Sequence, residues 1–147
     1  MADIVHEFTV KAQPERVFQL FATPEGMEKW WTKSSGGETR EGGEVRLYFG
    51  RDFKWRGRVT RSNPPHGFEL EITEAHPDWL GTRVGCELIV EGAEEAPVTR
   101  VRFYHAGWPE ANTHWRVSNF CWAMYLRILR RNAEFGEDVE YEKRLEV

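Results

Sequence analysis

Alternation between apolar and charged residues governs most of the chain. It begins in IVHEFTVKA, where Ile4, His6, Phe8 and Val10 fall on one side and Val5, Glu7, Thr9 and Lys11 on the other. This period of two marks a strand with one covered face. The period then changes. Pro14 opens PERVFQLFA, whose Val17, Phe18 and Phe21 share a helical face. Thr23 is placed to cap a second short helix, PEGMEKWW, that closes on Trp30 and Trp31. The turn-rich SSGGETREGGE has room for one ragged strand. After it the period of two returns and persists. Its inward sets are Val45, Leu47 and Phe49; Trp55, Gly57 and Val59; Phe68, Leu70, Ile72 and, by parity, Glu74; Val84, Cys86, Leu88 and Val90; Val101, Phe103 and His105. Arg46, Arg56, Arg58, Glu69, Glu71, Arg100 and Arg102 occupy alternate positions, as in an antiparallel sheet with one wet face. If NPPHG closes a hairpin, Arg58 comes to lie opposite or diagonal to Glu71.

The segment WRVSNFCWAMYLRILRRNAEFGE, residues 115–137, has the helical period and ends at Gly136. Its apolar residues point in nearly every direction over the first three turns, which predicts a helix buried on most sides. Six or seven strands at ~4.8 Å spacing make a sheet roughly 30 Å wide. A helix of this length is only ~10–12 Å across. One helix cannot cover such a face, and two short N-terminal helices add little. The sheet must curl around the terminal helix, with space left between them. The expected fold is therefore α+β, a curved antiparallel sheet wrapped around a long C-terminal helix, in one domain spanning residues 1–147.

This order of elements resembles the helix-grip fold of the START/Bet v 1-like (SRPBCC) superfamily. VKAQPERVFQLFATPEGMEKWW resembles the opening of the family named for activator of heat-shock-protein-90 ATPase, in which an Ala-x-Pro start and a closing Trp-Trp are typical. EGGEVRLYFG, PPHGFELEI, GTRVGCELIVEG, HAGWP and CWAMYLRILRR continue the resemblance in order over nearly the whole chain. The resemblance implies a cavity between sheet and helix, where superfamily relatives hold lipids, sterols, polyketides, plant hormones or flavonoid-like molecules. A few relatives are cyclases or hydroxylase subunits. The eukaryotic namesake stimulates a chaperone ATPase and carries an additional N-terminal domain, so its name is not expected to describe the function here.

Composition narrows these options. The net charge of −4 is spread in mixed sign without a basic block, which argues against a nucleic-acid partner. No apolar run reaches membrane-spanning length and no leader pattern opens the chain, so a cytoplasmic protein without membrane insertion is expected. Cys86 and Cys121 have no metal or redox spacing and read as buried thiols. Seven Trp, nine Phe and four Tyr exceed what a plain core requires and suit an aromatic-lined cavity. GxSxG, HExxH and P-loop patterns are absent, and GGETREGG lacks the Gly-Lys-Ser/Thr of a phosphate cradle. No cofactor or catalytic residue is assigned. No metal is assigned either, because His66, His76 and His114 lie in loops or at a helix start.

The candidate ligand-binding residues are Trp55, Phe49, Trp115 and Trp122 as an apolar wall, His6 and His105 as polar anchors, Asn119 beside Trp115 and Trp122 on the helix, and Trp30 near the mouth with Trp31. The expected function is binding of a small hydrophobic or aromatic molecule. The alternatives are a cyclase or hydrolase using His6, His105 or Glu74, and an interaction module, either chaperone-associated or a homodimer. The tail YEKRLEV is expected to pack on its own domain or on a twin.

Overall fold

The computed structural model describes residues 2–146. The elements run β1 (Ala2–Val10), α1 (Pro14–Ala22), α2 (Pro24–Met27), β2 (Ser34–Gly37), β3 (Glu44–Tyr48), β4 (Lys54–Asn63), β5 (Gly67–Glu74), β6 (Arg83–Ala93), β7 (Ala96–Trp108) and α3 (Thr113–Phe135), closed by a 3₁₀ turn at Tyr141–Glu146. All strand pairs are antiparallel, in the order β1-β7-β6-β5-β4-β3-β2. The strands from β2 to β7 are sequential neighbours. The first strand instead pairs with the last, so α1 and α2 carry the chain from one edge of the sheet to the other. The sheet is curved around α3, as the strand and helix widths require. Bulges within β1 and along β4–β5 bend its strands.

The local signals act as their chemistry dictates. Thr23 Oγ1 accepts the Gly26 N–H at the start of α2. Asn112 caps α3, its side chain accepting the Trp115 N–H. Gly136 stops α3 with φ 66°, a left-handed conformation that suits glycine. Arg58 pairs with Glu71 across β4–β5 at 2.9 Å, and Glu7, Glu91, Arg100 and Arg102 form a similar network across β1, β6 and β7. These pairs decorate the wet face and each contributes only about 0.2–1 kcal/mol.

Four expectations need correction. First, α3 is not buried on most sides. Its inward stripe is Ser118, Trp122, Leu126, Leu129 and Asn132, while Val117 is 54% and Phe120 67% exposed. The sheet curls, but it meets the helix along one face. Second, α1 contributes more than its length suggests. Val17, Leu20 and Phe21 are all buried as it crosses behind β5, β6 and β7, so it shares with α3 the task of covering the sheet. Third, Glu74 faces outward. A bulge places it opposite Arg56, which reverses its parity relative to Ile72, and the two side chains approach to 3.6 Å. Fourth, Val90 is 56% exposed, because the β6–β7 hairpin extends beyond the part of the sheet that the helices cover.

The tail returns to its own chain. Tyr141 donates its hydroxyl hydrogen to Phe49 O, and the buried Arg144 guanidinium donates to Glu28 O, Thr32 O and Val139 O. No described helix is long and apolar enough to cross a membrane.

Candidate functional site

Indoles occupy much of the space between sheet and helix. Trp30, Trp108 and Trp122 are fully buried, and Trp79 and Trp31 are nearly so. The Trp122 ring meets Trp31 at 5.3 Å, Trp79 at 5.8 Å, Trp30 at 6.2 Å and Phe103 at 4.7 Å between centroids. The cavity that remains is an open cleft of about 320 Å³ at the end of the sheet where α3 begins. Phe49, Phe53 and Trp55 from the β3–β4 hairpin form one wall. His114, Val117, Ser118, Cys121, Trp122 and Tyr125 from the first half of α3 form the other. Trp79 from the β5–β6 loop, Trp31 after α2 and Tyr141 from the tail close the floor and sides. Phe53 and Val117 are both more than half exposed, which identifies the rim and hence the mouth.

The lining contains no Asp, Glu, Lys or Arg. Burial pushes the Cys121 thiol above its ordinary value and the Tyr125 hydroxyl up to about 12, so both are neutral at physiological pH.

Behind this wall lies a short polar chain. Trp122 Nε1–H donates to His105 Nδ1 at 3.0 Å, which makes that nitrogen the acceptor and places the ring hydrogen on Nε2. Nε2 then donates to Thr82 Oγ1 at 2.8 Å, and Thr82 donates to Trp79 O at 2.5 Å. Burial, and secondarily the charge of His114, depress the His105 pKa to about 3. His105 is thus a neutral imidazole with both nitrogens committed, and it orients two lining tryptophans. It does not reach the cleft itself.

Of the residues singled out from sequence, Trp55, Phe49 and Trp122 line the cleft. His105 and Trp30 stand behind it, Trp30 under Trp31 with its Nε1 donating to Leu20 O. Trp31 itself is buried in the lining. His6 lies in a separate groove with Leu126 and Arg127, between β1 and the middle of α3. Asn119 is half-buried and outside the lining, and Ser118 takes the inward position. With Trp122 turned inward, the helix phase selects its i−4 neighbour over its i−3 neighbour. Trp115 packs against the core outside the lining, and its Nε1 is buried without a partner.

Sequence reasoning missed Trp79, Cys121, Tyr125 and Tyr141 as lining residues. Trp79 lies in a loop, HPDWLGT, where periodicity says nothing. Tyr141 arrives through the folding-back of the tail. Tyr125 follows Trp122 by three positions and Cys121 follows Ser118 by three, so helical spacing could have found both once Trp122 was taken as inward.

A curved antiparallel sheet closed on a terminal helix, with short helices joining its edges and an aromatic cleft at one end, is a helix-grip architecture. The family model described as activator of Hsp90 ATPase homolog 1-like protein matches residues 11–134, and the chain belongs to this family. Among solved structures, it is similar to the Aha1 dimer from Colwellia psychrerythraea, with 30% identity and a TM-score of 0.80 over 93% of this chain and 99% of that one. CalU16 from Micromonospora echinospora shares the fold at 19% identity and a TM-score of 0.74, over 98% of this chain and 81% of its own. Protein MLL2253 from Mesorhizobium loti shares it at 15% identity and a TM-score of 0.70, over 88% and 95%. Comparison with curated proteins finds no match.

Proposed function

We propose that the cleft binds a small, uncharged hydrophobic or aromatic molecule. The observation that carries this reading is the lining, in which eight of twelve residues are Phe, Trp or Tyr and none is Asp, Glu, Lys or Arg, around about 320 Å³ open to solvent. That volume lies at the lower end of the range usual for ligand pockets, which favours a compact molecule over an extended one.

The test is a titration with the uncharged fluorescent probe N-phenyl-1-naphthylamine, on the native chain and on Cys121→Trp, which fills the cleft. Saturable one-site binding to the native chain and at least tenfold weaker binding to the variant are expected. Equal affinity in a folded variant would remove the cleft as the site. Native mass spectrometry of freshly purified protein would then seek a co-purified molecule.

A second reading is self-association. The similar Colwellia protein was solved as a dimer, and Val117 and Phe120 present an apolar strip on the outer face of α3. Sedimentation of the native chain and of Phe120→Glu tests it, and a monomer at all concentrations would exclude it.

A further inference from the structure

At the rim of the cleft, a loop and a helix start that are far apart in sequence bring three side chains together. His76 and Asp78 come from the β5–β6 loop and His114 from the first turn of α3, and their ligand atoms all lie within 4.8 Å of one another. His114 Nδ1 stands 3.0 Å and His76 Nδ1 3.8 Å from the same Asp78 oxygen. The geometry points to a binding site for a divalent transition-metal ion, Zn²⁺ or a first-row neighbour, held by His76, Asp78 and His114. Two imidazoles and one carboxylate suit borderline metals of this class, and three protein ligands leave coordination positions open.

The three side chains are brought together before any ion arrives, with His76 Nδ1 accepting the Asp78 N–H at 3.1 Å, a bond that an ion held at that nitrogen would replace and one held at Nε2 would not. The loop is pinned by Trp79 N–H and Leu80 N–H to His76 O, and by Gly81 N–H to Ile72 O. Asn112 fixes the other side. Its Oδ1 caps α3 while its Nδ2 donates to the Asp78 oxygen at 3.3 Å, so one amide sets both the helix start and the carboxylate that faces His114. A partner outside the ligand set that orients a carboxylate in this way is usual for metal sites. Without metal, His114 Nδ1–H donates to Asp78. Binding through Nδ1 requires that hydrogen to move to Nε2 or to leave for solvent, and the metal then takes its place between the two groups.

His114 also lines the cleft. An open coordination position on that side would select, among hydrophobic molecules, those bearing an oxygen or nitrogen donor. This last step rests on the binding function proposed above, and the metal site does not.

The experiment is calorimetric titration of the chelator-washed full chain with zinc chloride, alongside His76→Ala, His114→Ala and His66→Ala. One equivalent should bind. Each of the first two variants should weaken binding more than about tenfold, the scale on which even outer-shell losses act. His66→Ala, in the β4–β5 turn, should change nothing. Thermal melts in EDTA establish that the variants fold; if His114→Ala does not, His76→Ala, whose side chain is half-exposed, decides alone. No saturable binding to the native chain, or binding undiminished in His76→Ala, overturns the site. The two readings fail separately, because zinc is titrated without an organic probe and the fluorescent probe is titrated in EDTA.

Discussion

Acidification from pH 7 to pH 5 should expose the cost of keeping His105 neutral. In the folded chain its pKa is about 3, against an ordinary value of 6.5. The rings of Trp79, Trp108 and Trp122 enclose it and Thr82 holds its Nε2. Between those two pKa values the unfolded chain binds a proton that the folded chain refuses. This contribution to stability is therefore complete above pH 6.5 and is lost as the pH falls toward 3, at up to about 1.4 kcal/mol per pH unit. Integrated from pH 7 to pH 5, the loss is about 2 kcal/mol, or roughly 1 M in urea midpoint for a chain of this size. The assay is a pair of urea melts by tryptophan fluorescence at each pH, on the native chain and on His105→Gln. The variant is less stable at both values because it disturbs the Trp122–His105–Thr82 chain, but that offset is not the readout. Every other ionisable group is common to the two proteins, so the difference between the two pH dependences isolates His105. It should be about 2 kcal/mol. Equal pH dependence in the two proteins would refute the neutral, sealed imidazole, and with it the account of how Trp122 and Trp79 are oriented.

Three further outcomes follow from the packing. Trp122→Ala should cost about 3–5 kcal/mol by urea melt, since the indole is 2% exposed at the centre of the aromatic cluster; an unchanged melt would mean the cluster carries little stability. Gly26→Ala should cost about 1–3 kcal/mol, because a Cβ there would lie 2.0 Å from Gln19 O and 2.7 Å from Leu20 Cα, backbone that cannot swing aside; a change in melting temperature within error would refute the close approach of α1 and α2. Arg144→Ala removes charge-assisted bonds to three backbone carbonyls and should cost about 1.5–3 kcal/mol, with faster proteolysis after α3; equal cleavage rates would show that the tail is not held by that guanidinium.

The sheet and the inward set of most strands were legible because alternation is a direct record of burial. Val45, Leu47, Val59, Leu70, Ile72, Val84, Cys86, Val101 and Phe103 all turn inward as their parity requires. Helix ends were legible where a capping side chain or a glycine has one local job, and α3 at Thr113–Phe135 differs from the expected 115–137 by two residues at each end. Parity failed where the backbone slipped. A bulge at β4–β5 turned Glu74 outward, and no residue type near it announces that extra position. The expectation that α3 is buried on most sides failed for one reason. An apolar residue on a helix face shows that burial is affordable there, not that a neighbour exists to provide it, and Val117 and Phe120 stay more than half exposed in this chain.

The cleft shows a deeper limit. Aromatic abundance pointed to a cavity, yet three of the seven indoles, Trp30, Trp108 and Trp115, fill space instead of lining it, and only position in three dimensions separates the two roles. Trp30 and Trp31 are adjacent in sequence, both are buried, and one is a wall while the other is its support. The residues that decide the cleft's chemistry come from the segments with the least periodicity: Trp79 from HPDWLGT, Tyr141 from the tail, and Phe53 from the β3–β4 turn. The same holds for His76 and His114, set aside as metal ligands because they lie in a loop and at a helix start, and for Asp78, which was not considered. Loop residues carry function because the sheet and α3 hold their ends fixed. Here the β5–β6 loop and the start of α3 are tied by one amide, Asn112, so any ligand that engages the rim acts on both walls of the cleft at once.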